Sequence, residues 1–95
     1  VEHPRNAGDF EIDEGNESEL AAHGITPTEA IQVLLNDPEW VRNKKGRAGV
    51  WKAVGRTDGG RVLSIPIMYD AARGVVRPVT GWDATPGEKT RYLRG

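Results

Sequence analysis

The sequence predicts an α+β fold, with two N-terminal helices and a short C-terminal helix packed on a small antiparallel sheet. Three observations lead there. A Thr-Pro-x-Glu arrangement, which places an N-cap Thr, a Pro at the first helical position and a Glu at the third, occurs at Thr26–Glu29 and again at Thr85–Glu88. The apolar pattern changes from helical to extended at Trp40. Two turn signals, Asp58-Gly59-Gly60 and the stretch from Asp70 to Gly74, then divide the following residues into three runs.

Residues 1–8, with His3, Pro4, Asn6 and Gly8, have no periodicity and read as a flexible tail; residues 9–95 form a single domain. Asp9 to Asp13 alternate strictly, as in a short edge strand with Phe10 and Ile12 inward. The three outer carboxylates invite a divalent cation, but charged outer faces also keep edge strands from pairing with other chains, and that is the stronger expectation. A helix follows from Asp13 as N-cap to His23, where Gly24 supplies the left-handed C-terminal residue. The second helix begins at Thr26, presents Ala30, Ile31, Leu34 and Leu35 on one stripe, and stops at Asn36-Asp37-Pro38. Both are expected on one side of the sheet.

After Trp40 comes a basic loop (Arg42, Lys44, Lys45, Gly46, Arg47), readable as a hairpin tip or as disorder. Val50 to Thr57, Arg61 to Tyr69 and Val75 to Thr80 are the strands of an antiparallel meander. Centring the last hairpin on Ala72 sets Pro66 opposite Pro78, which predicts a kinked or frayed rung. Ala84 to Leu93 is the terminal helix.

With 95 residues and 10.4 kDa, the chain buries only roughly 60 to 65% of its unfolded surface, which excludes a two-domain enzyme. The absence of Cys removes disulfides, thiolate zinc sites and a cysteine nucleophile, and suits a reducing, cytoplasmic setting. The longest apolar stretch, Val62 to Tyr69, is interrupted by Ser64 and Pro66, so no membrane segment is expected. The net charge of −1 conceals a polarised chain: residues 1–39 carry ten acids and one base, and residues 40–95 carry four acids and twelve bases. A basic segment of that density suits a polyanion.

Five motifs in order carry a resemblance. Phe10-x-Ile12-Asp13-x-x-Asn16, His23-Gly24-Ile25-Thr26-Pro27-x-Glu29-Ala30, Ala53-x-Gly55-Arg56-Thr57, Arg77-Pro78-Val79-Thr80 and Asp83-Ala84-Thr85-x-x-Glu88 together resemble the BrnT family of small bacterial toxins from type II toxin–antitoxin modules. The likeness covers roughly residues 9 to 92. It implies a RelE-like fold, a metal-independent endoribonuclease with no cofactor, and neutralisation by a ribbon-helix-helix antitoxin protein.

Metal-free RNA cleavage needs activation of the 2′-hydroxyl, stabilisation of charge on phosphorus and protonation of the leaving oxygen. Arginine suits the second task, because its planar fork meets a phosphoryl group bidentately and stays charged. Arg56 and Arg77, each inside a matched motif, are the catalytic candidates, and His23 is the histidine within a motif; Tyr69, Tyr92, Lys89 and the carboxylates are the other acid–base candidates. His23 also suits the C-terminal end of a helix dipole. Lys52, Arg61, Trp82, Lys89, Arg91 and Tyr92 are the RNA-binding candidates, with Trp51, Trp82 and Tyr92 available to stack on unpaired bases and Trp40 expected in the core. The expected substrate is single-stranded RNA, foremost mRNA. The alternative is a family member without activity, acting as an antitoxin- or RNA-binding module. A duplex-DNA regulator ranks last, since no helix carries a basic recognition surface.

Overall fold

The computed structural model describes residues 3–42 and 50–94. Three helices and one mixed sheet make the fold α+β. In chain order the elements are β1 (Asp9–Phe10), α1 (Glu14–Ala22), α2 (Pro27–Leu35), β2 (Glu39–Arg42), β3 (Val50–Arg56), β4 (Val62–Asp70), β5 (Val75–Pro78), β6 (Trp82–Asp83) and α3 (Pro86–Arg94). The sheet runs β1-β5-β4-β3-β2, and β6 continues along the edge of β4 beyond the end of β5. All pairings are antiparallel except β1 with β5, which is parallel, so the expected wholly antiparallel sheet is corrected to a mixed one.

The helix ends follow their capping residues. Asp13 Oδ1 accepts from the N–H groups of Gly15 and Asn16, while Asn16 Oδ1 accepts from Asp13 N–H. The chain is thereby committed to a helix at Asp13, which is why β1 stops at Phe10 rather than running on to residue 13. At the other end Gly24 takes φ +73°, and its N–H and that of Ile25 reach back to the carbonyls of Ala21 and Leu20. This closure buries Leu20 and Ile25 together. The reciprocal Thr26–Glu29 capping box opens α2.

Leu20 of α1, Ile25 of the connection, and Ala30, Val33 and Leu34 of α2 pack on Ala53, Leu63, Ile65, Ile67 and Val76 of the sheet. These strand residues share one face, as the register requires. Each large aliphatic side chain buried there contributes about 1.5–3 kcal/mol. α3 meets the opposite face through β3 and buries none of its residues fully.

The last hairpin differs from expectation by one residue. Ile67, not Pro66, faces Pro78, because the connection from Ala71 to Gly74 has an even number of residues and its centre falls between Ala72 and Arg73. Pro66 faces Lys52 on the other side, and its carbonyl accepts from Val79 N–H at 2.9 Å. The irregularity lies beyond that rung. Between the pairs Ile67–Pro78 and Ser64–Trp82, the two residues Ile65 and Pro66 oppose three, Val79, Thr80 and Gly81. The extra residue is a bulge that interrupts the edge between β5 and β6.

Residues 3–8, expected as a tail, lie against the fold. A 3-10 turn spans Pro4–Asn6, Pro4 is buried, and Gly8 N–H donates to Gly74 O at 2.9 Å. The expected basic loop beyond Arg42, with Lys44, Lys45 and Arg47, lies outside the described residues. No helix among the described residues is long and apolar enough to cross a membrane.

Candidate functional site

Directly paired strand residues project to the same face, so register decides which cations share a surface. Lys52 faces Pro66, Arg56 faces Val62 and Arg77 faces Met68. All three therefore lie on the face opposite the core, with Trp82, which faces Ser64. Arg56 and Arg77 are six residues apart along β4, which corresponds to ~20 Å of strand. They cannot grip one phosphate together: the two catalytic candidates lie toward opposite ends of β4.

Five of the ten Lys and Arg side chains among the described residues meet carboxylates within the fold. Arg77 makes a bidentate pair with Asp13 at 2.7 and 3.0 Å and lies 3.5 Å from Glu11. The hydrogen bond from Arg77, with help from the Asn16 N–H, holds the Asp13 carboxyl down at about 2. Arg61 donates to Asp83 at 2.9 Å and to the Gly24 carbonyl at 2.8 Å, and stands 3.4 Å from Glu29. It thus ties the end of α1 and the start of α2 to β6, with its own pKa raised chiefly by the Asp83 hydrogen bond. Arg91 approaches Glu39 at 3.5 Å. Arg73 lies within 3.8 Å of both Glu11 and Asp70. The acidic and basic halves of the sequence are interleaved in space rather than segregated into two surfaces.

Lys52 and Trp82 converge on Glu88. Its carboxylate accepts from Lys52 Nζ at 2.6 Å, Trp82 Nε1 at 3.2 Å and Thr85 N–H at 2.9 Å, while Thr85 Oγ1 accepts from Glu88 N–H. Burial opposes the charge on Glu88, but these donors outweigh it and hold the carboxyl at about 2. Glu88 is thus a fixed anion near neutral pH, not a proton donor. Lys52 and Trp82, both RNA-binding candidates, lie half-buried against α3, with the indole N–H donated to Glu88. A cleft of about 290 Å³ remains beside them, lined in part by Glu39, Lys52, Glu88 and Arg91.

A second cleft, of about 450 Å³, lies between α1 and the bulge and is lined by Gly15, Asn16, Glu19, Arg77, Val79 and Thr80. Asn16 fixes its floor by donating to the carbonyls of Glu11 and Pro78 at 2.9 and 2.8 Å. Glu19 accepts from Thr80 Oγ1 and also contacts His23 Nε2 at 3.3 Å. His23 is the exposed C-cap of α1 and joins the cleft only through Glu19. Arg77 and His23 are thereby gathered around one cleft, and Arg56 is not.

Arg56 is exposed at the end of β3, and among the described residues it has no carboxylate within ion-pairing distance. Lys89 is exposed and Tyr92 half-buried on α3. Among the described residues no group of three or more His, Asp or Glu is placed to hold a metal ion. The outer carboxylates Glu11 and Asp13 are instead occupied by arginines.

Sequence reasoning missed an aromatic cluster. The His3 ring lies 4.7 Å from that of Trp51 and 5.6 Å from that of Trp40, and the Arg42 guanidinium stands 5.6 Å from the Trp51 ring. Pro4 at the start of the 3-10 turn was the one local signal that the segment has structure.

Comparison with protein-family models and with curated proteins finds no match to the chain.

Proposed function

We propose that the chain is the toxin component of a type II toxin–antitoxin module, BrnT-like in family and RelE-like in architecture, which cleaves single-stranded RNA without metal. The observation that supports this reading is the register, which sets Lys52, Arg56 and Arg77 on one sheet face beside α3. In the reaction the 2′ oxygen forms a bond to phosphorus and loses its proton, and the 5′ oxygen departs and gains one. Arg56, exposed and without a carboxylate partner among the described residues, is the side chain best placed to stabilise the charge on phosphorus. A ribbon-helix-helix antitoxin would cover the same face.

One observation favours the second reading, a binding module without activity. Arg77, Arg61 and Lys52 are each neutralised by a carboxylate of the same chain. A cation so held keeps its place but has less charge to offer a transition state.

The two readings separate in one experiment. Purified protein is incubated with end-labelled single-stranded RNA in EDTA, alongside its Arg56→Ala variant, and each is expressed in a bacterial host. Cleavage and growth arrest that Arg56→Ala relieves support the ribonuclease. Intact RNA retained by the protein, with no arrest, supports an RNA-binding module, and failure to bind or cleave sinks the ribonuclease and leaves of the second reading only a module that binds the antitoxin.

A further inference from the structure

Trp40 and Trp51 lie on the core-side face of the sheet at its rim, Trp40 opposite Ala53 and Trp51 opposite both Arg42 and Ile67. They pack against the core but remain half-buried. His3 covers them, tilted at 54° to Trp51 and edge-on to Trp40. A planar heteroaromatic ring therefore fits this surface.

Two cations unpaired among the described residues lie beside it. Lys52, Arg61, Arg73, Arg77 and Arg91 each lie within 4 Å of a carboxylate; among the described residues Arg5, Arg42, Arg56, Lys89 and Arg94 do not, and of these Arg5 and Arg42 are the ones next to His3 and Trp51. Arg42 stands at the Trp51 ring, and Arg5 sits in the turn capped by His3 Nδ1, which accepts from Arg5 N–H at 3.1 Å. Among the described residues, charge without a carboxylate partner and half-buried indole rings covered only by His3 thus coincide at one place. That combination recognises an unpaired base together with its phosphate. His3 itself is held by a 3-10 turn of three residues, a small structure to displace.

We propose that Trp40 and Trp51, flanked by Arg42 and Arg5, form a stacking site for one unpaired base of single-stranded RNA, and that His3 is the internal occupant which the base displaces. The choice of ligand rests on the RNA reading above. The site itself is on the opposite sheet face from Arg56, so binding here and cleavage there are separable.

The test uses the intact chain and a fluorescent, 2′-O-methylated single-stranded RNA, which binds but cannot be cut, with affinity read by anisotropy. Trp51→Leu is expected to weaken binding about tenfold. Arg42→Gln, an exposed change that leaves the fold in place, weakens it several-fold and lowers its salt dependence. His3→Gly tightens it by removing the competing ring. Equal affinity of wild type and Arg42→Gln, or weaker binding by His3→Gly, overturns the proposal while leaving the ribonuclease reading intact. Platform-dependent binding with no cleavage of unmodified RNA supports the proposal and removes the ribonuclease. No binding at all removes both.

Discussion

Arg77 grips Asp13 with two parallel hydrogen bonds, Nη1 to Oδ2 at 2.7 Å and Nη2 to Oδ1 at 3.0 Å, across 64 residues of chain. The same carboxylate caps α1. One side chain thus starts a helix and fastens it to a strand from the far end of the sequence.

That dual role makes the fold acid-sensitive. The folded Asp13 carboxyl is held at about 2, below its ordinary value of 3.8, so its stabilisation is complete above the ordinary value and is lost as pH falls through about 2. Thermal melts followed by circular dichroism should show the midpoint falling between about pH 4 and 2. Asp13→Asn should lower the midpoint at neutral pH and reduce that acid-induced fall; an unchanged pH profile would count against the pair.

Asn16 gives a sharper contrast between two variants. It is buried, and its amide donates to two carbonyls. Asn16→Ala leaves those acceptors without their partner, at about 1–3 kcal/mol for a buried unsatisfied group. Asn16→Asp should be worse, because a carboxylate has nothing to donate and meets both carbonyls with like polarity. Urea denaturation should rank the variants in that order.

Gly81 is a packing requirement. A Cβ there would stand 2.6 Å from Ile65 Cδ1, 2.9 Å from Ile25 Cδ1 and 3.4 Å from Leu20 Cδ2, all core side chains. Gly81→Ala should destabilise by about 1–3 kcal/mol through overpacking. Adding Ile65→Val, which removes the closest methyl, should recover part of the loss in the same denaturation measurement.

Glu88 carries α3. Replacing it with Ala removes the acceptor of Lys52, Trp82 and the Thr85 N–H at once, and loss of such a cap costs about 0.5–2 kcal/mol locally. Amide exchange over Pro86–Arg94 should accelerate while the core amides keep their protection. Uniform acceleration would show that α3 does not open separately.

The elements were legible wherever a local rule governs them. Asp13, Gly24 and the Thr26–Glu29 box set helix ends that depend only on near neighbours, and the Asp58-Gly59-Gly60 turn did the same for the β3–β4 hairpin. What depends on distant residues was not legible. The parallel placement of β1 beside β5, the packing of His3 on Trp51 and the bulge at Val79–Gly81 are tertiary choices with little or no local signature. The candidate site divides the same way. Residue type marks Arg77 and Lys52 as cations, but only the register and the carboxylates of distant segments reveal that Arg77 is paired with Asp13 and Lys52 with Glu88.

The parallel pairing of β1 with β5 also orders events for a chain that emerges from its N-terminus. Both N-terminal helices can form as they leave the ribosome, but residues 9 and 10 have no strand to join until residues 75 and 76 exist. The first strand of the sequence therefore waits for about four-fifths of the described chain. β3 and β4 give α2 its sheet before then, but the edge of β4 that β5 will occupy stays open, and that interval is when this protein is most exposed to capture by any other strand.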